Sequence, residues 1–252
     1  MTDMNIETDR QPETLPVLFQ DRDFIAVNKP AGMLVHRTNI DKYETRFLLQ
    51  ELRKQTGKFL YPVHRLDKPT SGIILFAFNP ETAALLQKQI EENIATKEYL
   101  LVCRGYCPGN GTIDHPLKPI DDFKNKRKTE KPSKPAQKAT TLFERLNTTE
   151  LPVTVDKYPT SRYSLVKARI LSGRKHQIRR HFKHISHPII GCPKYGKSTH
   201  NKYFANNLQV NRLLLHAYRI SLLKPGTDET IEITAPLSGT FQSLLERFSW
   251  NI

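Results

Sequence analysis

The residues best suited to chemistry stand at 64–72, His64-Arg65-Leu66-Asp67-Lys68-Pro69-Thr70-Ser71-Gly72, directly before the apolar run Ile73-Ile74-Leu75-Phe76-Ala77-Phe78. Three basic side chains surround one carboxylate. An aspartate beside arginine and lysine on an open surface would be an ion pair of little consequence. Here Leu66 and the strand that follows pin the loop to the core, and Thr70-Ser71-Gly72 supplies a tight bend. A carboxylate held near arginine stays ionised. It can then serve as nucleophile or base, not as general acid. A negative group in a cationic cleft also repels phosphate, so Asp67 needs a role other than binding an anion.

The cleft is expected to be cationic because the whole chain is. Its 252 residues carry 39 Lys and Arg against 25 Asp and Glu, a formal charge of +14. Charge of this size implies a polyanionic partner, nucleic acid first. It is also clustered. Residues 117–139 hold seven Lys and one Arg against three acids, and residues 174–187 hold Arg174, Lys175, Arg179, Arg180 and Lys183 with no acid. Hydrophobic residues make up 38% and charged residues 25%, the balance of one globular domain. No apolar run approaches the roughly 20 residues that span a bilayer. Cys103, Cys107 and Cys192 are too few and too irregular for a disulfide framework. A cytoplasmic, monomeric protein is expected, with residues 1–14 a disordered arm, 15–252 one domain and 117–139 a mobile basic loop within it.

Several elements must position these groups. Residues 15–28 read as two short strands about the turn Asp21-Arg22-Asp23, followed by a Pro/Gly loop. Asp41 and Glu44 have capping-box spacing and open a helix that carries Phe47, Leu48 and Leu52 and stops at Gly57. Asn79-Pro80 starts a second helix, running to about residue 95 with Leu86, Ile90 and Ile94 as its core-facing stripe. Strands are predicted over 97–105, 138–146, 163–171 and 212–223. A hairpin about Pro225-Gly226 and a closing helix over 238–250 complete the chain. Residues 172–188 read as a capped helix with Ile178, Phe182 and Ile185 on its buried face. Lys175, Arg179 and Lys183 fall on an exposed cationic flank, beside His176, Arg180 and His184. Strands and helices intermix without regular alternation, so the fold class is α+β, with a largely antiparallel sheet flanked by helices.

Other chemistries lack support. There is no G-x-x-x-x-G-K-[ST] loop and no G-x-G-x-x-G. His181, His184, His187 and Cys192 invite a zinc reading, but His187 falls past the helix end, and Cys103 and Cys107 are not spaced as C-x-x-C. No metal is expected. A glycosidic hydrolase wants a second carboxylate near the first, and the motif-bearing segments offer only Glu98.

Taken together the motifs resemble the RluA family of pseudouridine synthases. "HRLDKPTSG" is similar to the catalytic loop of that family, "KEY" at 97–99 to its K-x-Y motif, and "GRKHQIR" to its G-R-x-H-Q-[IL]-R motif. "RLLLHA" at 212–217 and "VNKPAGMLVH" match its R-L-x-L-H-A strand and its K-P-x-G opening. The resemblance implies a pseudouridine-synthase-like catalytic domain. It also implies cleavage of the bond between uracil and ribose, a turn of the base, and rejoining through carbon 5, with no cofactor. Asp67 matches the essential aspartate, acting at the ribose or the base. Arg179 matches the arginine that pairs with it, Tyr99 the tyrosine that stacks on the target base and takes part in proton movement, and Arg65 the side chain that fills the gap left by the flipped uridine. A guanidinium plane and a tyrosine face offset the few kcal/mol that flipping costs. His64 is expected to position the loop against the RNA. Arg174, Lys175 and Arg180 are expected at phosphates, and His176 and Gln177 along the RNA backbone.

Only about 15 residues precede the first predicted strand, so the S4 RNA-binding domain of some relatives is not expected. "PTSRYSLVK" and "GRKHQIRRHFKHISHPIIG" resemble a tRNA-modifying branch of the family, with uridine 65 as the expected target. A sibling acting on another tRNA or ribosomal RNA site, or a silent RNA-binding protein on the same fold, are the alternatives. The second has no use for a carboxylate at Asp67.

Overall fold

The computed structural model describes residues 14–37, 44–120 and 134–252. The predicted arm up to residue 13, Asp41 of the expected capping box and the middle of the basic loop lie outside the described residues. In chain order the elements are β1 (Val17–Gln20), β2 (Phe24–Lys29), α1 (Leu48–Thr56), β3 (Tyr61–Pro62), β4 (Ser71–Ala77), α2 (Pro80–Glu91), β5 (Thr96–Arg104) and β6 (Asn110–Asp114). They continue as β7 (Thr140–Leu151), β8 (Ser161–Ile170), α3 (Gln177–His184), α4 (Ser198–Asn207), β9 (Leu215–Leu223), β10 (Thr230–Thr234) and α5 (Gly239–Arg247).

Among the described residues ten strands form one sheet, ordered β1-β2-β4-β9-β5-β8-β7-β6, with β3 on β4 and β10 on β9. Every pairing is antiparallel except β4 with β9, which meet in parallel over two residue pairs, Ser71 with His216 and Gly72 with Ala217. A Cβ at Gly72 would stand 2.2 Å from the Ala217 carbonyl oxygen, and its φ is +106°. Only glycine permits that approach, which explains the Ser-Gly that opens β4.

The central strands are apolar on both sides because both faces are covered. Ile74 and Phe76 of β4 join Leu101 and Cys103 of β5 beneath α1 and α3, with Leu48, Leu52, Ile178 and Phe182 packed on them. On the other face Ile73, Leu75 and Ala77 meet Ala83 and Leu86 of α2. Leu100, Val102 and Leu165 meet Phe204, Phe241 and Leu244 of α4 and α5.

The α+β class and the mainly antiparallel sheet are as expected. Three readings need correction. α2 ends at Glu91, and Asn93 turns the chain at φ 58°, so Ile94 faces solvent while Ala95 is buried. α4 was not foreseen. The third concerns helix starts: α1 begins at Leu48 behind its N-cap Phe47, not at the Asp41 and Glu44 spacing, and α3 begins at Gln177, after Arg174 and Lys175, with Arg179 buried at 3% exposure, not placed on a solvated flank.

Candidate active site

The loop before β4 is fixed from below. Lys29, fully buried at the end of β2, donates to the carbonyl oxygens of Pro30, Met33 and Lys68 at 2.9, 2.8 and 3.0 Å. Three acceptors satisfy the three N–H groups of an ammonium, and they tie the Lys29-Pro30 turn to the residue after Asp67. Ser71 is held between the two central strands. Arg212 Nη2 donates to Ser71 Oγ, which donates to His216 Nδ1 at 2.7 Å, while His216 Nε2 donates to the Ala235 carbonyl.

Above this loop lies the N-terminal end of α3. His176 caps the helix in the left-handed region, φ 56° and ψ 28°. Gln177 makes four hydrogen bonds: its Oε1 accepts from Ser172 Oγ and Arg174 N, and its Nε2 donates to Thr140 O and Thr141 Oγ1. Arg179 donates Nη1 to Asp67 Oδ2 at 2.9 Å and Nε to Cys192 Sγ at 3.3 Å. The Tyr195 ring lies 5.3 Å from its guanidinium carbon, and the Tyr195 hydroxyl meets His176 Nδ1 at 3.0 Å. His176 Nε2 stands 3.8 Å from the same Asp67 oxygen. Burial pushes His176 down to about 4, so its ring is neutral at pH 7.

Asp67, Tyr99 and Arg179 line one cleft of about 230 Å³ with His64, Arg65, Lys97, Arg174, Lys175 and His176. This is small beside the roughly 300–1,000 Å³ of ordinary ligand pockets. Tyr99 is 7% exposed, and burial, with the Asp67 charge adding to it, pushes its phenol up. Among the described residues, Asp67 is the one carboxylate of this lining. An arginine-held carboxylate facing a buried tyrosine in a cationic cleft is a site built around one acid.

Comparison with known proteins agrees. A family model described as RNA pseudouridylate synthase matches residues 23–184, a span that contains Asp67, Tyr99 and Arg179. The chain belongs to the RNA pseudouridylate synthase family. It is 46% identical over 237 residues to "tRNA pseudouridine synthase C" of Haemophilus ducreyi, covering 94% of this chain and 97% of that one. The protein of the same name from Pasteurella multocida is 46% identical over 239 residues, covering 95% and 98%. Among solved structures, "Human RNA Pseudouridylate Synthase Domain Containing 4" superposes with a TM-score of 0.70 at 22% identity, covering 94% of both chains. That likeness is one of fold. As a family member the protein is an isomerase of uridine in RNA.

Not every expected residue of this synthase reaches the cleft. Arg180 points away and donates Nη1 to the Lys118 carbonyl at 2.9 Å. Arg174 Nε donates to the Lys138 carbonyl at 3.1 Å. With Leu117 and Gln137 paired as a bridge, Arg180 of α3 and Arg174 of the turn before it thus grip both described ends of the basic segment. Gln177 is spent within the protein and has nothing left for RNA. His64 Nε2 accepts from the Leu75 amide at 3.2 Å, and burial, with Lys97 adding, pushes it down to about 3. It is a neutral brace of the loop. Arg65 is exposed at the rim. The histidines that suggested zinc have other partners: His181 lies between Thr141 Oγ1 and the His115 carbonyl, His187 meets the Arg104 carbonyl, and Cys192 takes Arg179.

Tyr195 is the residue that sequence reasoning missed, and Cys192, read there only as a zinc candidate, was not tied to Arg179. The Pro-Lys-Tyr-Gly turn that carries Tyr195 was a visible signal, but nothing in its spacing ties it to Arg179.

Proposed function

We propose that this synthase converts one uridine of tRNA to pseudouridine, with uridine 65 as the target. The observation that carries the reading is the Asp67–Arg179 pair facing Tyr99 in a cleft of about 230 Å³. The names of the two bacterial relatives, each matched over almost its whole length, support tRNA as the substrate.

In this reading the uridine leaves its helix and Arg65, exposed at the rim, takes its place in the stack. The base enters against the Tyr99 ring, which returns roughly 1–3 kcal/mol of stacking. Arg179 aims Asp67 through its 2.9 Å hydrogen bond, and the neutral His176 beside it adds no second cation. Asp67 acts at the ribose or the base as the bond from nitrogen 1 to ribose breaks. The uracil turns, carbon 5 joins the ribose, the hydrogen of carbon 5 departs as a proton, and nitrogen 1, freed from the ribose, takes one up. Substrate and product are isomers, so nothing is consumed.

The test uses tRNA carrying tritium at carbon 5 of uracil, with wild type and Asp67→Asn side by side. Release into water by wild type alone, with the product mapped to position 65, is the expected result. Release from ribosomal RNA and not from tRNA would reassign the substrate. No release from either would leave an RNA-binding protein.

A further inference from the structure

Lys97 and Tyr99 alternate along β5 and both line the cleft that holds Asp67. The nearby acids are taken: Asp67 by Arg179 at 2.9 Å, and Glu98 by Arg219 at 3.3 Å. Among the described residues the Lys97 ammonium has no hydrogen-bond or ion-pair partner. Its stem is half-buried, and burial brings its pKa down to about 8. An ammonium that has left part of its water without finding a partner is unfavourable in the empty protein. That loss is recovered when an oxygen bearing negative charge is brought to it. The groups that face it leave this vacancy open. His64 is neutral, Asp67 is engaged, Tyr99 is protonated, and the cations Arg65, Arg174 and Arg179 cannot serve as partners.

We propose that Lys97 is a further substrate-binding residue of the synthase, meeting an oxygen of the target nucleotide, phosphate or uracil carbonyl, as the base settles on Tyr99. This deepens the reading of the cleft given above and rests on it. Lys68, Lys175 and Arg212 already have partners within the protein, which sets Lys97 apart from its basic neighbours.

The experiment compares wild type, Lys97→Met and Lys97→Arg as full chains, with tRNA transcript tritiated at carbon 5. Lys97→Met keeps the length of the stem and removes the charge, and its thermal midpoint is expected to match or exceed that of wild type. Its RNA Kd should rise, or its single-turnover rate fall, by about tenfold. A phosphate contact shows as a plot of log K against log salt that is shallower by about one unit. A carbonyl contact shows as an unchanged slope with the loss in the rate. In wild type kcat/KM should be level below pH 8 and fall above it, as the ammonium loses its proton. Lys97→Arg, which stays charged, should push that fall to higher pH. Kd and rate in Lys97→Met both within about twofold of wild type would overturn the proposal. If Lys97→Met does not fold, the same alkaline fall in wild type and Lys97→Arg overturns it instead. A wild type that releases no tritium overturns the isomerase reading, while the salt-dependent Kd still reads the Lys97 contact.

Discussion

Arg179 and Asp67, 112 residues apart in the chain, meet through a hydrogen bond of 2.9 Å between Nη1 and Oδ2. The guanidinium is buried and the carboxylate nearly so, with side-chain exposures of 4% and 16%. Removing one partner of such a pair leaves a charge stranded and costs about 3–5 kcal/mol. Arg179→Met should therefore lose about that much stability in urea unfolding. The double variant Arg179→Met with Asp67→Asn should recover part of it. Strictly additive losses would mean that the two groups do not depend on each other.

The hydroxyl of Tyr99 has no hydrogen-bond partner among the described residues, although its ring is buried. Tyr99→Phe should keep stability within about 0.5 kcal/mol and leave RNA affinity unchanged. Single-turnover tritium release should slow by about a hundredfold if the phenol moves a proton. Equal rates would reduce Tyr99 to a stacking surface.

Lys183 and Arg180 sit on the same helix with different duties. Lys183 is exposed, whereas Arg180 is engaged on the Lys118 carbonyl. Lys183→Ala should make the salt dependence of RNA binding shallower by about one unit. Arg180→Ala should leave that slope unchanged and lower stability by about 1 kcal/mol. Fluorescence anisotropy across a salt series separates them, and a shallower slope in Arg180→Ala would return it to the phosphate contacts.

His216 gives a pH dependence with a definite sign. Burial, with the Arg212 charge adding to it and the bond to the Ala235 carbonyl opposing it, holds its imidazole at about 4 against an ordinary value of 6.5. Between those values the unfolded chain binds the proton and the folded chain does not. Stability is therefore fully present above pH 6.5 and declines as pH falls towards 4. The loss from this one group amounts to roughly 3 kcal/mol. His216→Gln retains an acceptor for Ser71 and a donor for Ala235, so its midpoint should fall less steeply over this range. Parallel melting curves would point to other groups.

Much of this was legible in the sequence because its signals are local. The strand after Gly72 announces itself by six apolar residues, and α2 by Asn79-Pro80, where Asn79 Oδ1 accepts from the Thr82 amide at 2.7 Å. Asp67 stood out because a carboxylate among cations calls for a reason. α4 was hidden because it buries only His200 and Phe204 and its N-cap Lys197 makes no side-chain cap. Arg179 was placed on the wrong side for a different cause. Helical spacing sets it at an angle to Ile178 and Phe182, and only the turn carrying Cys192 and Tyr195, folding over from later in the chain, makes that angle an interior one.

The strand order carries a consequence for how this protein comes into being. β4 and β5, which follow the Asp67 loop and carry Tyr99, are neighbours in the chain yet never pair, because β9 lies between them. A ribosome that has released everything through α3 has already made Asp67, Tyr99 and Arg179. The two halves of the sheet that bear these groups still lack the strand that joins them. Long-range pairing of this kind is slow, and the growing chain stays inert until Leu215–Leu223 is threaded into the middle of a sheet begun at its edges.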